Sequence, residues 1–225
     1  MVANADVKYA WRPSAAQLES ANVTRLARAL GCEDYVALHR LSVDEPEAFW
    51  RAVADDLELD LARPWEAVRD DSRGIEWTTW FEGARLNIAQ ACVHTWAERT
   101  PDTVAAVFRT EDGVRDEWTF SSLSEQVVRL AEALVALGVG AGDRVAIYMP
   151  MAPEAAVASH ACAHIGAIQV PIFSGFAAPA IAQRLEASDA KVVICADGSF
   201  RRGRRLPMRE TVSYTHLTLP TTERV

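Results

Sequence analysis

Apolar positions change period several times between residues 120 and 196, and each change marks an element. Val127, Leu130, Leu134 and Leu137 recur at helical spacing. Ser122 with Glu125 three residues on forms a capping box before them, and Gly138 supplies the stop after them. Residues 145–148 are then continuously apolar, and Pro153 opens a helix of small residues that Gly166 closes. Residues 168–173 read as a second strand, Pro179 opens a helix through Leu185, and 191–195, with Val-Val-Ile at its centre, read as a third strand. Strands apolar on both faces and separated by helices predict a parallel arrangement. The fold class is α/β, a doubly wound, mostly parallel sheet covered by helices, and the Ala-rich helix at 153–164 packs its backbone close to that sheet.

The preceding stretch follows other rhythms. Asn87 caps a predicted helix that passes Cys92, reaches Trp96 and Ala97, and breaks at Pro101-Asp102. Residues 104–108 and 117–120 are β-like runs around the turn Glu111-Asp112-Gly113, a hairpin pattern. Residues 1–85 hold five of the seven tryptophans, Trp11, Trp50, Trp65, Trp77 and Trp80, among short amphipathic segments. Asn22 is expected to cap a helix through Leu30 that ends at Gly31. Asp44 is expected to cap another, with Phe49, Val53 and Leu57 inward. No alternating strand is read there, so 1–85 is expected to be a helical extension with tryptophans as packing anchors. Residues 86–212 form the α/β body. In 213–225 the apolar residues Tyr214, Leu217 and Leu219 keep neither period, and Pro220 would interrupt a sheet, so loose attachment from Ser213 is expected.

Composition narrows the function classes. The chain has 225 residues, half of them hydrophobic, enough to bury a core. A formal net charge of -8 opposes general nucleic-acid binding, which needs Lys and Arg to neutralise phosphates. The first residues lack a basic flank leading into an apolar run, so no signal peptide is read. The most apolar stretch, 149–173, is broken by Glu154, His160, His164 and three prolines and makes a poor membrane span. Cys32, Cys92, Cys162 and Cys195 stand far apart without a CxxC pair, as reduced thiols of a cytoplasmic protein do.

Candidate chemistry gathers at residues 200–209, where five arginines follow the end of a predicted parallel strand. Ligands of open α/β sheets bind at that edge. The forked guanidinium groups of Arg201, Arg202 and Arg204 suit phosphate, and Gly203 permits a tight turn between them. From charge alone a solvated basic loop is the favoured reading. Residues 147–155 and 172–176 read as strand exits and packing. His160 and His164 have a metal-ligand spacing but no accompanying carboxylate or third ligand, which favours hydrogen-bonded structural roles. Gly138, Gly140 and Gly142 precede a strand instead of following one, unlike a dinucleotide fingerprint. No Walker lysine, G-x-S-x-G or convincing carboxylate pair is present.

In order along the chain, these features resemble acetyl-CoA synthetase and its short-chain acyl-CoA synthetase relatives in the adenylate-forming superfamily. The residues carrying the resemblance are Trp80-Phe81, Leu86-Asn87 and Cys92, then Gly142-Asp143-Arg144-Val145-Ala146-Ile147-Tyr148-Met149-Pro150-Met151 and Pro153-Glu154-Ala155-Ala156. Ile165-Gly166-Ala167, Ile172-Phe173-Ser174-Gly175-Phe176 and the run through Arg201, Gly203 and Arg204 complete the series, which covers most of 45–212. The tryptophan-bearing extension is similar to the acetyl-CoA synthetase branch. The resemblance implies a cytoplasmic two-step ligase whose substrates are a small carboxylic acid, ATP and CoA, with Mg2+ expected for the intact enzyme. The acid is activated to an acyl-adenylate with loss of pyrophosphate, and the CoA thiol then displaces AMP. It further implies that Arg201, Gly203 and Arg204, with Arg202 at the variable position, help hold the phosphorylated nucleotide end of CoA. Residues 86–212 would then be the first part of the AMP-binding (adenylation) domain. The phosphate loop with its lysine, the adenine- and ribose-binding segments and the mobile domain with the catalytic lysine have no counterpart here. Residues 213–225 depart from the family and look like a translated sequencing adapter, so the expectation is a truncated, inactive N-terminal fragment with an alien tail. A non-catalytic CoA- or nucleotide-binding α/β module, or an interaction protein that reuses the fold, are the competing readings.

Overall fold

The structure, a computed structural model, describes residues 10–111, 113–201 and 203–215. Asp112 of the hairpin turn, Arg202 of the arginine run and 216–225 of the tail lie outside the described residues. The chain divides into two compact units, Met1–Arg85 and Leu86–Val225.

In the first unit, helices α1 (Ala15–Ser20), α2 (Asn22–Ala29), α3 (Tyr35–Asp44) and α4 (Pro46–Asp56) bury Ala27, Leu38 and Ala54. Ser14 and Gln17 form a reciprocal capping box on α1, and the Asp34 carboxylate accepts the Ala37 N–H at 2.8 Å to cap α3. Two expected caps shift. Asn22 is the first helical residue of α2, with Ala21 at the cap position, and Asp44 closes α3 while Pro46 opens α4 behind Glu45. Proline suits that position because its missing N–H would have no helical partner. Leu57 lies beyond α4 and is 60% exposed, not inward.

The reading of this unit as wholly helical is corrected by an antiparallel ribbon, β1 (Ala67–Asp70) with β2 (Thr79–Glu82), in the register Ala67↔Glu82 and Arg69↔Trp80. Each strand has four residues, and in β1 only Val68 is buried, so the apolar alternation that announces a strand is nearly absent. Backbone pairing and side-chain stacking hold it. The Arg69 guanidinium lies 5.8 Å from the Trp80 ring, and Trp80 meets Trp50 edge-on at 6.1 Å. Trp65 packs on Phe81 in the same way, whereas Trp11 and Trp77 stay largely exposed.

The second unit opens with Asn87. Its Oδ1 accepts the Ala89 and Gln90 N–H groups at 2.9 and 3.2 Å, capping the helix as the sequence predicts. Its amide Nδ2 also donates to the Ala163 and His164 carbonyls, 3.2 and 3.1 Å away, at the end of a helix about 76 residues later in the chain. The helix passes through a π turn at Gln90–His94 before regular α5 (Thr95–Arg99). Asn87→Ala removes both the cap and the tie, and the expected loss is about 2 kcal/mol of unfolding free energy. Urea unfolding checks it, and a loss under about 0.5 kcal/mol, the scale of an ordinary surface change, would contradict the tie.

The hairpin β3 (Val104–Arg109) and β4 (Arg115–Thr119) follows, antiparallel, and leads into α6 (Phe120–Ala136). Thr119, not Ser122, caps α6: its hydroxyl accepts the Ser122 N–H at 3.2 Å. Starting there, α6 buries Leu123, Val127, Ala131 and Leu134, while Leu137 lies beyond its end and is exposed. Gly138, at φ +83°, takes the left-handed turn that ends it.

Then come β5 (Arg144–Tyr148), α7 (Pro153–His164), β6 (Ile168–Pro171), α8 (Ala178–Ser188) and β7 (Val192–Cys195). The strands pair in the order β6-β5-β7, both pairings parallel, as the alternation of runs predicts. Successive residues of β5 face opposite ways. Val145 and Ile147 pack with Ala131, Leu134, Ala158, Ala161 and Cys162 of α6 and α7. Ala146 and Tyr148 pack with Ile181 and Leu185 of α8 and with Met208 and Val212 of α9 (Met208–Thr215). The sheet is therefore covered by helices on both faces.

Between β7 and α9 lies a short antiparallel hairpin, β8 (Ser199–Arg201) and β9 (Arg204–Leu206). Helix α9 corrects the expected loosening at Ser213. Met208, Val212 and Thr215 recur at i, i+4, i+7 and are all buried, so the inward stripe runs past Val212 to a threonine.

Candidate functional site

Adjacent strands β5 and β6 send the chain to opposite faces of the sheet, β5 into α7 and β6 into α8. The connections beyond their paired carboxyl ends thus diverge, and a crevice opens where connections part in this way. A crevice of about 550 Å³ lies there, lined by Tyr148, Ser174, Gly175, Phe176, Pro179, Leu206, Pro207 and Tyr214 among others. Its size is that of a small-molecule site. The Tyr148 hydroxyl, at the end of β5, reaches the carbonyl oxygens of Ser174 at 3.2 Å and Phe176 at 3.3 Å and fixes the loop after β6. Phe176 meets Phe173 edge-on, and the Arg184 guanidinium lies 4.1 Å from its ring centroid. Burial, followed by the Cys195 thiol nearby, pushes the Tyr148 phenol above its ordinary pKa, so it remains a neutral hydrogen-bond donor at neutral pH. Sequence reasoning took 172–176 for packing. The available signal was a glycine between aromatic residues just past the carboxyl end of a parallel strand.

Leu206 joins the crevice to the arginine hairpin, which follows the carboxyl end of β7. Arg201 and Arg204 are cross-strand partners, as are Phe200 and Arg205. Gly203 sits at the turn with φ +71° and no atom within 4 Å of where a Cβ would stand, so backbone conformation and not space demands glycine there. Its N–H donates to the Glu111 carboxylate at 3.2 Å. Arg204 and Arg205 are exposed and, as neighbours on one strand, belong to opposite faces of the hairpin. Arg205 lines a second groove of about 540 Å³ with Asp197, Arg209 and Glu210, where Arg209 and Asp197 pair at 3.7 Å. The turn N–H already holds an anionic oxygen, that of Glu111, and an arginine lies on the next residue.

The Cys162 and Cys195 thiols are not activated nucleophiles. Burial, then Asp197, raise the Cys195 thiol above its usual pKa, with Arg209 acting the other way, and burial raises Cys162 as well. All four cysteines are free thiols. His160 and His164 take hydrogen-bonded roles: His160 Nδ1 lies 2.8 Å from its own helix's Ala156 carbonyl, and His164 Nδ1 lies 3.0 Å from His94 Nε2. Among the described residues no group of three or more His, Cys, Asp or Glu is arranged to hold a metal ion. No described helix is long and apolar enough to cross a membrane.

Comparison with known proteins agrees with this architecture. Residues 93–222 match the AMP-binding enzyme family, and residues 35–92 match the acetyl-coenzyme A synthetase N-terminus. The chain is 39% identical over 181 residues to the acetyl-coenzyme A synthetase of Magnetococcus marinus, covering 80% of this chain and 28% of that protein. It is 40% identical over 185 residues to acetyl-coenzyme A synthetase 2 of Pseudomonas putida, covering 82% of this chain and again 28% of the relative. Among solved structures, the acetoacetyl-CoA synthetase from Streptomyces lividans superposes with a TM-score of 0.85 at 34% identity, over 95% of this chain and 34% of that one. The chain thus spans little more than a quarter of the length of the curated relatives it matches.

Proposed function

Because the chain belongs to the AMP-binding enzyme family, we propose that it supplies the first part of an ATP-dependent short-chain carboxylic acid–CoA ligase of the acetyl-CoA synthetase type. In this reading residues 1–85 are the N-terminal extension of the cytoplasmic enzyme and 86–212 begin its adenylation domain. In the intact ligase a carboxylate oxygen attacks the α-phosphorus of ATP and pyrophosphate leaves. The CoA thiol then attacks the acyl carbonyl, and AMP leaves with the electron pair of the broken C–O bond.

This segment acts in the second half-reaction. The arginine hairpin, through Arg201, Arg204 and the Gly203 N–H, holds the phosphorylated nucleotide end of CoA, with Arg202 at the variable position. The crevice beside Leu206 takes the less polar part of the same nucleotide. The observation that carries this reading is the Gly203 N–H engaged by a carboxylate oxygen at the tip of a basic hairpin beside the switch-point crevice. Phosphate would replace Glu111 there. Mg2+ belongs to the ATP half-reaction, and no residue of this segment is assigned to it.

Adenylate formation depends on charge stabilisation around the ATP phosphates, and this chain carries no Ser/Thr/Gly-rich phosphate loop with a lysine. The purified 225-residue chain is therefore expected to show no acid-dependent ATP–pyrophosphate exchange. Exchange above background with acetate, propionate or another short-chain acid would show that the chain performs the first step itself and would overturn the division of labour.

A further inference from the structure

The first helix of the second unit contains a π turn at Gln90–His94, and within it the adjacent residues Val93 and His94 are both buried. Such widened turns recur at functional sites. His94, 9% exposed, meets two other helices by side chain alone. Its Nδ1 lies 2.8 Å from the Ser124 Oγ of α6, and its Nε2 lies 3.0 Å from the His164 Nδ1 of α7. The two imidazole rings are 5.0 Å apart and nearly perpendicular.

We propose that His94, His164 and Ser124 form a proton-operated clasp that pins residues 88–99 against α6 and α7 and opens when both imidazoles are protonated. The inference rests on this geometry alone and is independent of the activity assigned to the chain.

The hydrogen-bond chemistry sets the proton count. With both rings neutral, one hydrogen lies between His94 Nε2 and His164 Nδ1, and the serine hydroxyl donates or accepts at His94 Nδ1 to match. A first proton on the exposed side of His164 leaves this arrangement intact, because His164 Nδ1–H still donates to His94 Nε2. A second proton, on His94, sets N–H against N–H and brings two cations together, and the contact is lost.

The charges acting on His94 are few. Burial holds its pKa below the ordinary histidine value, and His164 and, more weakly, His160 from α7 act in the same direction. Glu98, one turn further along its own helix, opposes them, and α6 presents the neutral Ser124 hydroxyl. The closed state thus keeps His94 neutral while the open, solvated ring has the higher pKa. The clasp contributes fully above about pH 6.5, the open-ring value, and weakens as the pH falls through it towards the lower value of the closed state. Asn87 bonds the Ala163 and His164 carbonyls through groups that do not titrate, so the start of the helix stays attached as a hinge while the π turn is released.

Amide hydrogen exchange on the 225-residue chain, corrected for intrinsic exchange rates, tests this between about pH 7.5 and pH 5. Protection over 90–99 is expected to fall about tenfold for each unit separating the open and closed pKa values, while β5 stays protected. His94→Gln retains an amide that hydrogen-bonds but does not titrate, so its protection is expected to be independent of pH. His160→Gln is expected to retain the wild-type fall. Wild-type protection that is flat with pH, or a His94→Gln chain that follows the wild type, overturns the clasp. If the glutamine variant does not fold, the imidazole 15N shifts of the wild-type chain decide: coupled two-step titration of His94 and His164 supports the clasp, and two independent ordinary titrations refute it.

Discussion

Leu134→Ala and Ile181→Ala are each expected to lower the unfolding free energy of the Leu86–Val225 unit by about 2–5 kcal/mol. Both side chains are almost completely buried, at 1% and 0% exposure. Leu134 belongs to α6 and fills the cluster with Val145, Ile147 and Cys162, whereas Ile181 belongs to α8 and fills the cluster with Ala146, Tyr148 and Met208 on the other side of the strands. Truncation removes the transfer free energy of the lost carbons and leaves a cavity that a close-packed sheet face cannot collapse to fill. The two sites share no packing partner and have the β5 backbone between them, so the double variant should lose nearly the sum of the single losses. Urea unfolding followed by circular dichroism gives all three values, provided the slope with denaturant is unchanged. A loss below about 1 kcal/mol at either site would mean that face is not a closed core. A double loss far from additive would mean the two faces are coupled through a movement of the sheet.

That two-sided core explains what was legible beforehand. Residues 145–148 and 192–195 are apolar at every position because both faces of their strands are covered, and proline or glycine marks the ends of the intervening helices. Type, order and parallel direction of these elements therefore follow from residue pattern. Less was legible where backbone geometry decides. Thr119 and Ser122 are both residue types that cap helices, only Ser122 has the acidic partner three residues on, and what selects Thr119 is the inward face it gives α6 through Leu123 and Val127. The π turn leaves no trace in the spacing, because it is a pattern of backbone hydrogen bonds and not a period of apolar residues. The β1–β2 ribbon was hidden by its charged residues, whose contribution depends on Trp80 lying opposite Arg69.

The site divides along the same line. Five arginines past a strand were visible in the sequence, and so was their suitability for phosphate. The carboxylate oxygen on the Gly203 N–H was not, because Glu111 is 92 residues away in the chain. Nor was the crevice, since a switch point exists only once β6 and β7 are known to lie on opposite sides of β5.

Arg201→Ala together with Arg204→Ala, made in the intact ligase that this segment is proposed to open, should raise the KM for CoA roughly a hundredfold or more. Hydrogen bonds to charged groups contribute about 1.5–3 kcal/mol each, and loss of two corresponds to a factor of that order even when they are only partly additive. ATP–pyrophosphate exchange driven by the acid should stay within about twofold of the parent rate, because CoA enters only after the adenylate has formed. Arg205→Ala is the internal comparison. Arg205 is the next residue on β9, on the opposite face of the hairpin and beside the Asp197 and Glu210 carboxylates, so it carries similar charge without the cross-strand pairing of Arg201 with Arg204. If the hairpin acts as a shaped phosphate cradle, the Arg205 variant should show a much smaller rise in KM, and the double variant's CoA dependence should respond less to added salt than the parent's. If all three arginines count equally, the hairpin attracts CoA only as a diffuse positive patch. If the CoA dependence of the double variant equals that of the parent, the basic run is a solvated loop, and the phosphate must be held elsewhere in the enzyme.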